Sequence, residues 1–175
     1  MTAAIWLFFG LIICVGYTVF FGAPYVPSRR RQLAEALDKL GHLTDIDHVL
    51  DLGSGDGIVL RTVSARGARA TGFEIHPLLV VVAKLLSLGD TKVEVKLASI
   101  WHRPFPDDVT LVYVFGDSRD IKKLVARIEN EALRLKRPLR VISYGFELPG
   151  YGSIQRTKTH FLYKIRPLQT PKPQV

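Results

Sequence analysis

One stretch restricts the fold more than any other: Asp51-Leu52-Gly53-Ser54-Gly55-Asp56-Gly57, set between a short apolar run at His48–Leu52 and a helix-forming run at Gly57–Arg66. Glycines on alternate positions let the backbone turn sharply and approach a ligand where a Cβ would clash. A strand that empties into such a loop and then a helix is the first unit of an α/β sheet. Glu74 stands twenty-one residues after Gly53, at the tip of the next apolar run, where a carboxylate accepts hydrogen bonds from ribose hydroxyls.

The rest of the chain agrees with that beginning. Leu33, Leu37 and Leu40 recur at helical spacing up to Gly41, with Ser28 as the expected cap. Ala68–Phe73 reads as a strand, and Pro77 opens a helix through Leu88 that Gly89 stops. Lys92–Leu97 and Thr110–Phe115 are strands. Ile121, Leu124, Val125, Ile128, Ala132 and Leu135 trace one helix face, and Leu139–Gly145 and Thr159–Ile165 are further strands. Strands alternating with helices predict a doubly wound, mainly parallel sheet of Rossmann-like α/β class, covered on both sides.

The loop narrows the ligand. A dinucleotide fingerprint needs its third glycine one position later, where Ile58 stands, and a phosphate-cradling loop needs Lys and Ser or Thr after its last glycine, where Ile58-Val59 stand. What remains is a nucleoside without phosphates. S-adenosylmethionine fits, because Asp51 and Asp56 supply negative charge for its ammonium and sulfonium groups.

A second feature lies outside this sheet. Thr2–Ser28 contains no charged side chain, and 17 of the 21 residues in Ala3–Ala23 are apolar. As a helix those 21 residues span about 31 Å, close to the hydrocarbon thickness of a bilayer. The segment lacks a basic start, and Pro24 follows Gly22-Ala23 where cleavage would fall, so a membrane anchor fits better than a cleaved signal. Trp6 and Tyr17 suit the interface, and Arg29-Arg30-Arg31 places the following domain on the cytoplasmic or matrix side. The expected organisation is a transmembrane anchor at 1–24, a catalytic domain at 25–166 and a Pro-rich flexible tail at 167–175.

Charge is also uneven. Residues 29–116 carry 11 basic and 11 acidic side chains, and 117–175 carry 13 and 5, so the net charge of +8 belongs to the last third. Such a surface suits water, anionic lipid head groups or an acidic partner, and no nucleic-acid module accompanies it. The lone Cys14 sits in the apolar segment, which excludes a disulfide framework or a Cys-rich metal site. His42, His48, His76, His102 and His160 show no metal-ligand spacing and read as surface or packing residues.

Asp51–Gly57 resembles motif I of the class I S-adenosylmethionine-dependent methyltransferases, and Glu74 resembles their ribose-binding acid. Pro24-Tyr25-Val26-Pro27-Ser28 resembles a signature of a small protein-lysine methyltransferase family, and the likeness extends to about Arg166. That family includes an archaeal broad-specificity enzyme and mitochondrial enzymes that modify the ATP synthase c-subunit and the adenine nucleotide translocase. The apolar segment resembles the membrane-targeting segment of its mitochondrial members. The resemblance implies that Asp51, Gly53, Ser54, Gly55, Asp56, Gly57 and Glu74 bind the cofactor and that Tyr25 closes over it. Ser99 takes the place of the family's Asp or Asn near the adenine, before Ile100-Trp101.

Methyl transfer is an in-line displacement, so positioning supplies most of the barrier reduction. With a reference pKa of about 10.4, only about one lysine in a thousand is neutral near pH 7.4, and an apolar channel raises that fraction. Phe115, Gly116 and Tyr144, at strand ends, are candidates for the channel; they equally suit a core or rim. The expected activity is protein-lysine N-methylation of membrane-associated substrates. A lipid or other small hydrophobic acceptor is the alternative, and a non-catalytic membrane scaffold a third reading. A nucleic-acid amine is disfavoured, because Phe115-Gly116-Asp117-Ser118 replaces the Asp/Asn-Pro-Pro-aromatic tetrad that holds planar amines.

Overall fold

A computed structural model of the protein describes residues 5–6, 30–115 and 120–167. The expected anchor beyond Ile5 and Trp6, the Pro24–Ser28 motif with Tyr25, Gly116 and nearly all of the tail lie outside the described residues. Among the described residues no helix is long and apolar enough to cross a membrane.

Among the described residues seven strands form one sheet in the order β3-β2-β1-β4-β5-β7-β6. They are β1 (His48–Leu52), β2 (Arg69–Glu74), β3 (Val93–Leu97), β4 (Leu111–Phe115), β5 (Leu139–Tyr144), β6 (Gln155–Arg156) and β7 (His160–Ile165). β1 to β5 run parallel, and β7 returns antiparallel to β5. β1 is buried along its whole length, as a central parallel strand covered on both faces must be; Val49, Leu50 and Leu52 are its apolar positions, and His48 and Asp51 are buried polar ones.

Helices α1 (Arg30–Ala36), α2 (Ile58–Ser64) and α3 (Pro77–Leu86) share one face of the sheet, where Leu33, Val59, Leu60, Val80 and Ala83 pack on Val49, Ala70, Tyr113 and Ile142. Helix α4 (Ile121–Arg134) covers the other face with Leu124, Val125, Ile128 and Ala132, over Leu50, Leu52, Val112, Val114 and Val141. The alternation of these two sets along each strand is the period of 2 that separates the faces of a sheet.

Several element ends differ from the sequence reading by one or two residues, and three departures have a physical reason. The first helix changes to a π-turn over Leu37–Gly41, closed by His42 in the left-handed region, and this keeps Leu37 and Leu40 buried. α3 stops at Leu86, where the amide of Ser87 is shared between the carbonyls of Ala83 and Lys84. The two-residue strand β6 was not expected; Gln155 and Arg156 are exposed and carry no apolar pattern. At the amino edge, His48 Nδ1 lies 2.7 Å from Asp108 Oδ1 and Arg69 donates to Asp108 Oδ2 at 2.6 Å. Burial pushes the Asp108 carboxyl up, but these partners outweigh it and hold it at about 2.

Candidate active site

The carboxyl edge of the sheet gathers nearly every residue singled out above. Asp51, Glu74, Tyr113, Phe115 and Tyr144 all fall on the face covered by α1, α2 and α3. Asp51 pairs with Gly72 and Tyr113, and Phe115 pairs with Tyr144. Two subsites result, one around the glycine loop and one across β4, β5 and β7.

The glycine loop is drawn onto the end of β2. The amides of Gly53 and Ser54 both donate to the carbonyl of Phe73, at 2.9 and 3.1 Å, and Gly57 donates to Ser54 at 2.8 Å. Gly53, Gly55 and Gly57 take φ of +87°, +54° and +78°, conformations that cost little only without a Cβ. Glu74 is fixed from two sides: Gly55 N–H donates to Oε2 at 2.9 Å and His76 N–H to Oε1 at 2.7 Å. Ala98 N–H donates to the Glu74 carbonyl at 2.9 Å, which brings half-buried Ser99 to the same corner. Ser99 Oγ accepts from Trp101 N–H at 3.3 Å, and Lys123 Nζ sits 4.3 Å from the Trp101 ring centroid.

Asp51 is 2 % exposed at the floor of this cup. Burial first, and then the charges of Glu74 and Asp56, push its carboxyl up to about 8. Asp56 is less free than its place in the motif implies. Its Oδ1 accepts from Ile58 N–H at 3.1 Å at the start of α2, its Oδ2 lies 3.5 Å from Arg61, and Arg61 also donates to its carbonyl. Ser54 Oγ is buried without a hydrogen-bond partner. A cup lined by three acids suits a polar cation, and S-adenosylmethionine is one.

Gly72 is a functional position that the sequence reading missed. A Cβ there would come within 2.6 Å of Ser54 Cβ and 2.7 Å of Leu60 Cδ1, so the loop and α2 approach β2 only because position 72 is glycine. An isolated glycine inside a strand pattern is the signal that points to such an approach.

The second subsite is aromatic. Phe115 and Tyr144 rings lie 5.3 Å apart at 38°, and Tyr144 stacks on His160 at 4.6 Å and 19°. Tyr113 Oη lies 3.0 Å from His160 Nε2, and Tyr144 Oη reaches Gln32 Oε1 of α1 at 3.4 Å. Since Leu52 pairs with Val114, the first glycine of the loop follows β1 beside Phe115, and the two subsites adjoin. His160 and Gln32 carry no motif and come to the site only through register and helix packing. Among the described residues no group of three or more His, Cys, Asp or Glu is arranged to hold a metal ion.

Comparison with known proteins agrees with this geometry. A family model described as a methyltransferase domain matches residues 50–138, about half of the chain. The chain is 28% identical over 131 residues to the ATP synthase c-subunit lysine N-methyltransferase of Xenopus laevis, covering 73% of this chain and 55% of that protein. It is 26% identical over 133 residues to the protein of that name from Homo sapiens, covering 72% and 53%. The chain thus spans a little more than half the length of these relatives. Its fold is similar to that of an RNA methyltransferase from Salinibacter ruber in complex with S-adenosyl-L-homocysteine, with a TM-score of 0.72 at 23% identity over 84% of this chain and 97% of that one. It is also similar to a geranyl diphosphate C-methyltransferase from Streptomyces coelicolor, with a TM-score of 0.54 at 19% identity over 65% of this chain and 45% of that one. Seven strands in this order, a glycine loop closing on Glu74 and the match over residues 50–138 have one reading: the chain belongs to the class I methyltransferases that use S-adenosyl-L-methionine.

Proposed function

We propose that the protein is a protein-lysine N-methyltransferase acting on membrane-associated protein substrates. The observation that carries this reading is the similarity, over about three quarters of the chain, to lysine N-methyltransferases of the ATP synthase c-subunit. When bound, S-adenosylmethionine supplies a methyl group on a positively charged sulfur, which a neutral amine displaces in line. In this reading Asp51 and Glu74 hold the cofactor, Asp51 by its charge and Glu74 at the ribose, while Gly53, Gly55 and Gly57 keep the loop close. Ser54, Asp56 and Ser99 complete the pocket, and Tyr25 closes over it from the N-terminal side. Phe115, Gly116 and Tyr144 form the acceptor channel. The Phe115 and Tyr144 rings exclude water, which disfavours the ammonium form of an entering lysine and raises the fraction able to attack.

Two features support a membrane setting. Thr2–Ser28 is long enough to anchor the chain, with the catalytic domain on the cytoplasmic or matrix side. Helix α3 leaves Leu78, Val81, Leu85 and Leu86 exposed on its outer side, an apolar stripe of the kind that marks a contact surface. The test is to incubate the full chain with methyl-labelled cofactor and a membrane extract, then sort the label into protein, lipid and nucleic acid. Methyl-lysine in hydrolysed protein is the expected result. Label in lipid alone would select the small hydrophobic acceptor instead, and label in RNA alone would select a nucleic-acid amine. Carbonate extraction tests the anchor: full-length chain stays with the membrane pellet, and chain lacking residues 1–24 does not.

A further inference from the structure

Three strands place Phe115, Tyr144 and His160 side by side, with Phe115 paired to Tyr144 across β4 and β5 and Tyr144 paired to His160 across β5 and β7. The innermost member is a histidine that is 1 % exposed. Its ring is gripped at both nitrogens: Tyr113 Oη lies 3.0 Å from Nε2 and Thr159 Oγ1 lies 3.0 Å from Nδ1. Its backbone is held as well, with its N–H donating to Thr157 Oγ1 at 3.2 Å and its carbonyl accepting from Thr157 N–H at 2.9 Å. A ring held at both edges has no freedom to rotate about χ2 without losing a hydrogen bond in a buried place. The Tyr144 ring lies nearly flat on it and so inherits its plane.

We infer that His160 is a positioning residue for methyl transfer: locked by Tyr113 and Thr159, it fixes the plane of Tyr144 and thereby the width of the acceptor channel. This rests on the proposed reading of Tyr144 as a wall of that channel. A leucine or phenylalanine at 160 would fill the space but leave the Tyr113 and Thr159 hydroxyls without the ring nitrogens, and leave the Tyr144 plane held by Phe115 and Gln32 without the locked imidazole. The charge state suits the role. Burial drives His160 down to about 4, with Glu35 on α1 opposing weakly, so the imidazole is neutral and adds no repulsion against a cationic side chain entering beside it.

The test separates positioning from folding and from the choice of acceptor. His160→Phe keeps a ring against Tyr144 and removes both ring hydrogen bonds, whereas Tyr113→Phe removes one of them from β4, on the far side of β5. Each full-length variant is assayed for S-adenosylmethionine affinity by calorimetry, for melting temperature, and for initial rates of label transfer into detergent-solubilised membrane protein. Tyr144 ring resonances followed by NMR give a readout that needs no acceptor. The expected result is unchanged cofactor affinity, a roughly tenfold lower turnover for His160→Phe and roughly threefold for Tyr113→Phe, and shifted, exchange-broadened Tyr144 signals in both. Wild-type turnover in Tyr113→Phe, even if His160→Phe fails to fold, would overturn the inference. So would unaltered Tyr144 resonances, or a turnover loss matched by an equal loss of cofactor affinity. If the wild-type chain labels lipid or RNA rather than protein, the lysine reading falls, and the NMR result still decides the role of His160.

Discussion

The two halves of the sheet are built on different principles. The β1–β3 half holds its loop with backbone amides on fixed oxygens: Gly53 and Ser54 on Phe73, Gly55 and His76 on Glu74. The β4–β7 half holds its edge with rings: Phe115, Tyr144, His160 and Tyr113. Residues 29–116 balance 11 basic against 11 acidic side chains, while 117–175 carry 13 against 5. A site for an invariant small cation needs fixed acids and little else. A site for a macromolecular amine needs a dry wall and a surface around it that suits the partner. On the proposed reading of the aromatic row as the acceptor wall, cofactor and acceptor binding are separable, so a substitution in one half should leave the other half's readout intact.

The sharpest break is at Glu74. Glu74→Ala removes the proposed ribose acceptor and strands two buried amides at once, those of Gly55 and His76. Cofactor affinity should fall at least about 100-fold, the loss of two charged hydrogen bonds at about 1.5 kcal/mol each. Calorimetry with S-adenosylmethionine reads it directly, and retained binding would mean that the cofactor lies elsewhere. The Tyr144 resonances should stay as in the wild type if the halves are independent.

Asp51 comes next, because its effect is spread over pH. Its carboxyl stands at about 8 in the folded protein against an ordinary value of 3.8, owing to burial and to the charges of Glu74 and Asp56. The folded state therefore holds a proton that the unfolded chain releases near pH 4. The stability from that proton is fully present below pH 4 and is lost as pH rises through about 8, at up to about 1.4 kcal/mol per pH unit. A cationic cofactor has the opposite preference and selects the carboxylate. Binding below pH 8 should then release close to one proton, with affinity rising up to about tenfold per pH unit toward 8. Calorimetry at pH 7 in buffers of different ionisation enthalpy measures the proton. Asp51→Asn should abolish the release, remove the fall in melting temperature between about pH 6.5 and 8, and weaken binding, while leaving the aromatic row unchanged.

How much of this was legible follows the same division. The glycine loop and Glu74 are marked by local spacing, and the parallel strands are visible because burial on two faces makes them mostly apolar, as at Leu111–Phe115. Gly72 was legible in principle as a lone glycine in a strand. His160 was not, because its meaning depends on an antiparallel register that sets it opposite Tyr144, sixteen residues earlier. Nothing local distinguishes it from a packing histidine. The π-turn at Leu37–Gly41 and the short β6 were hidden for a related reason: tertiary packing, rather than propensity, decides both.

Gly72 offers a smaller effect on the cofactor half, read as stability. Gly72→Ala drives a Cβ into Ser54 and Leu60, both held by the loop and by α2. Overpacking of this kind costs about 1–3 kcal/mol, measurable as a shift in urea midpoint. Because relief requires the loop to lift from β2, cofactor affinity should fall with stability, in contrast to Asp51→Asn, which weakens binding without crowding the fold.

The smallest effect tests the other half's scaffold. Leu148 N–H donates to the buried Tyr163 hydroxyl at 3.1 Å, and Ser143 Oγ donates to the Phe146 carbonyl at 2.6 Å, so the segment after Tyr144 is tied down on the α4 face. Tyr163→Phe removes one tie and leaves a buried amide without its acceptor, at a cost of about 1 kcal/mol. The side chain faces away from Asp51 and Glu74, on the opposite side of the sheet, among Val141, Leu148 and Ile165. Its loss should lower the urea midpoint without altering the affinity for S-adenosylmethionine or the proton released on binding. An equal fall in cofactor affinity would mean that the return of β7 across the sheet tensions the glycine loop through β5, β4 and β1. The two halves would then be one device, and the separation argued from their chemistry would not survive in their energetics.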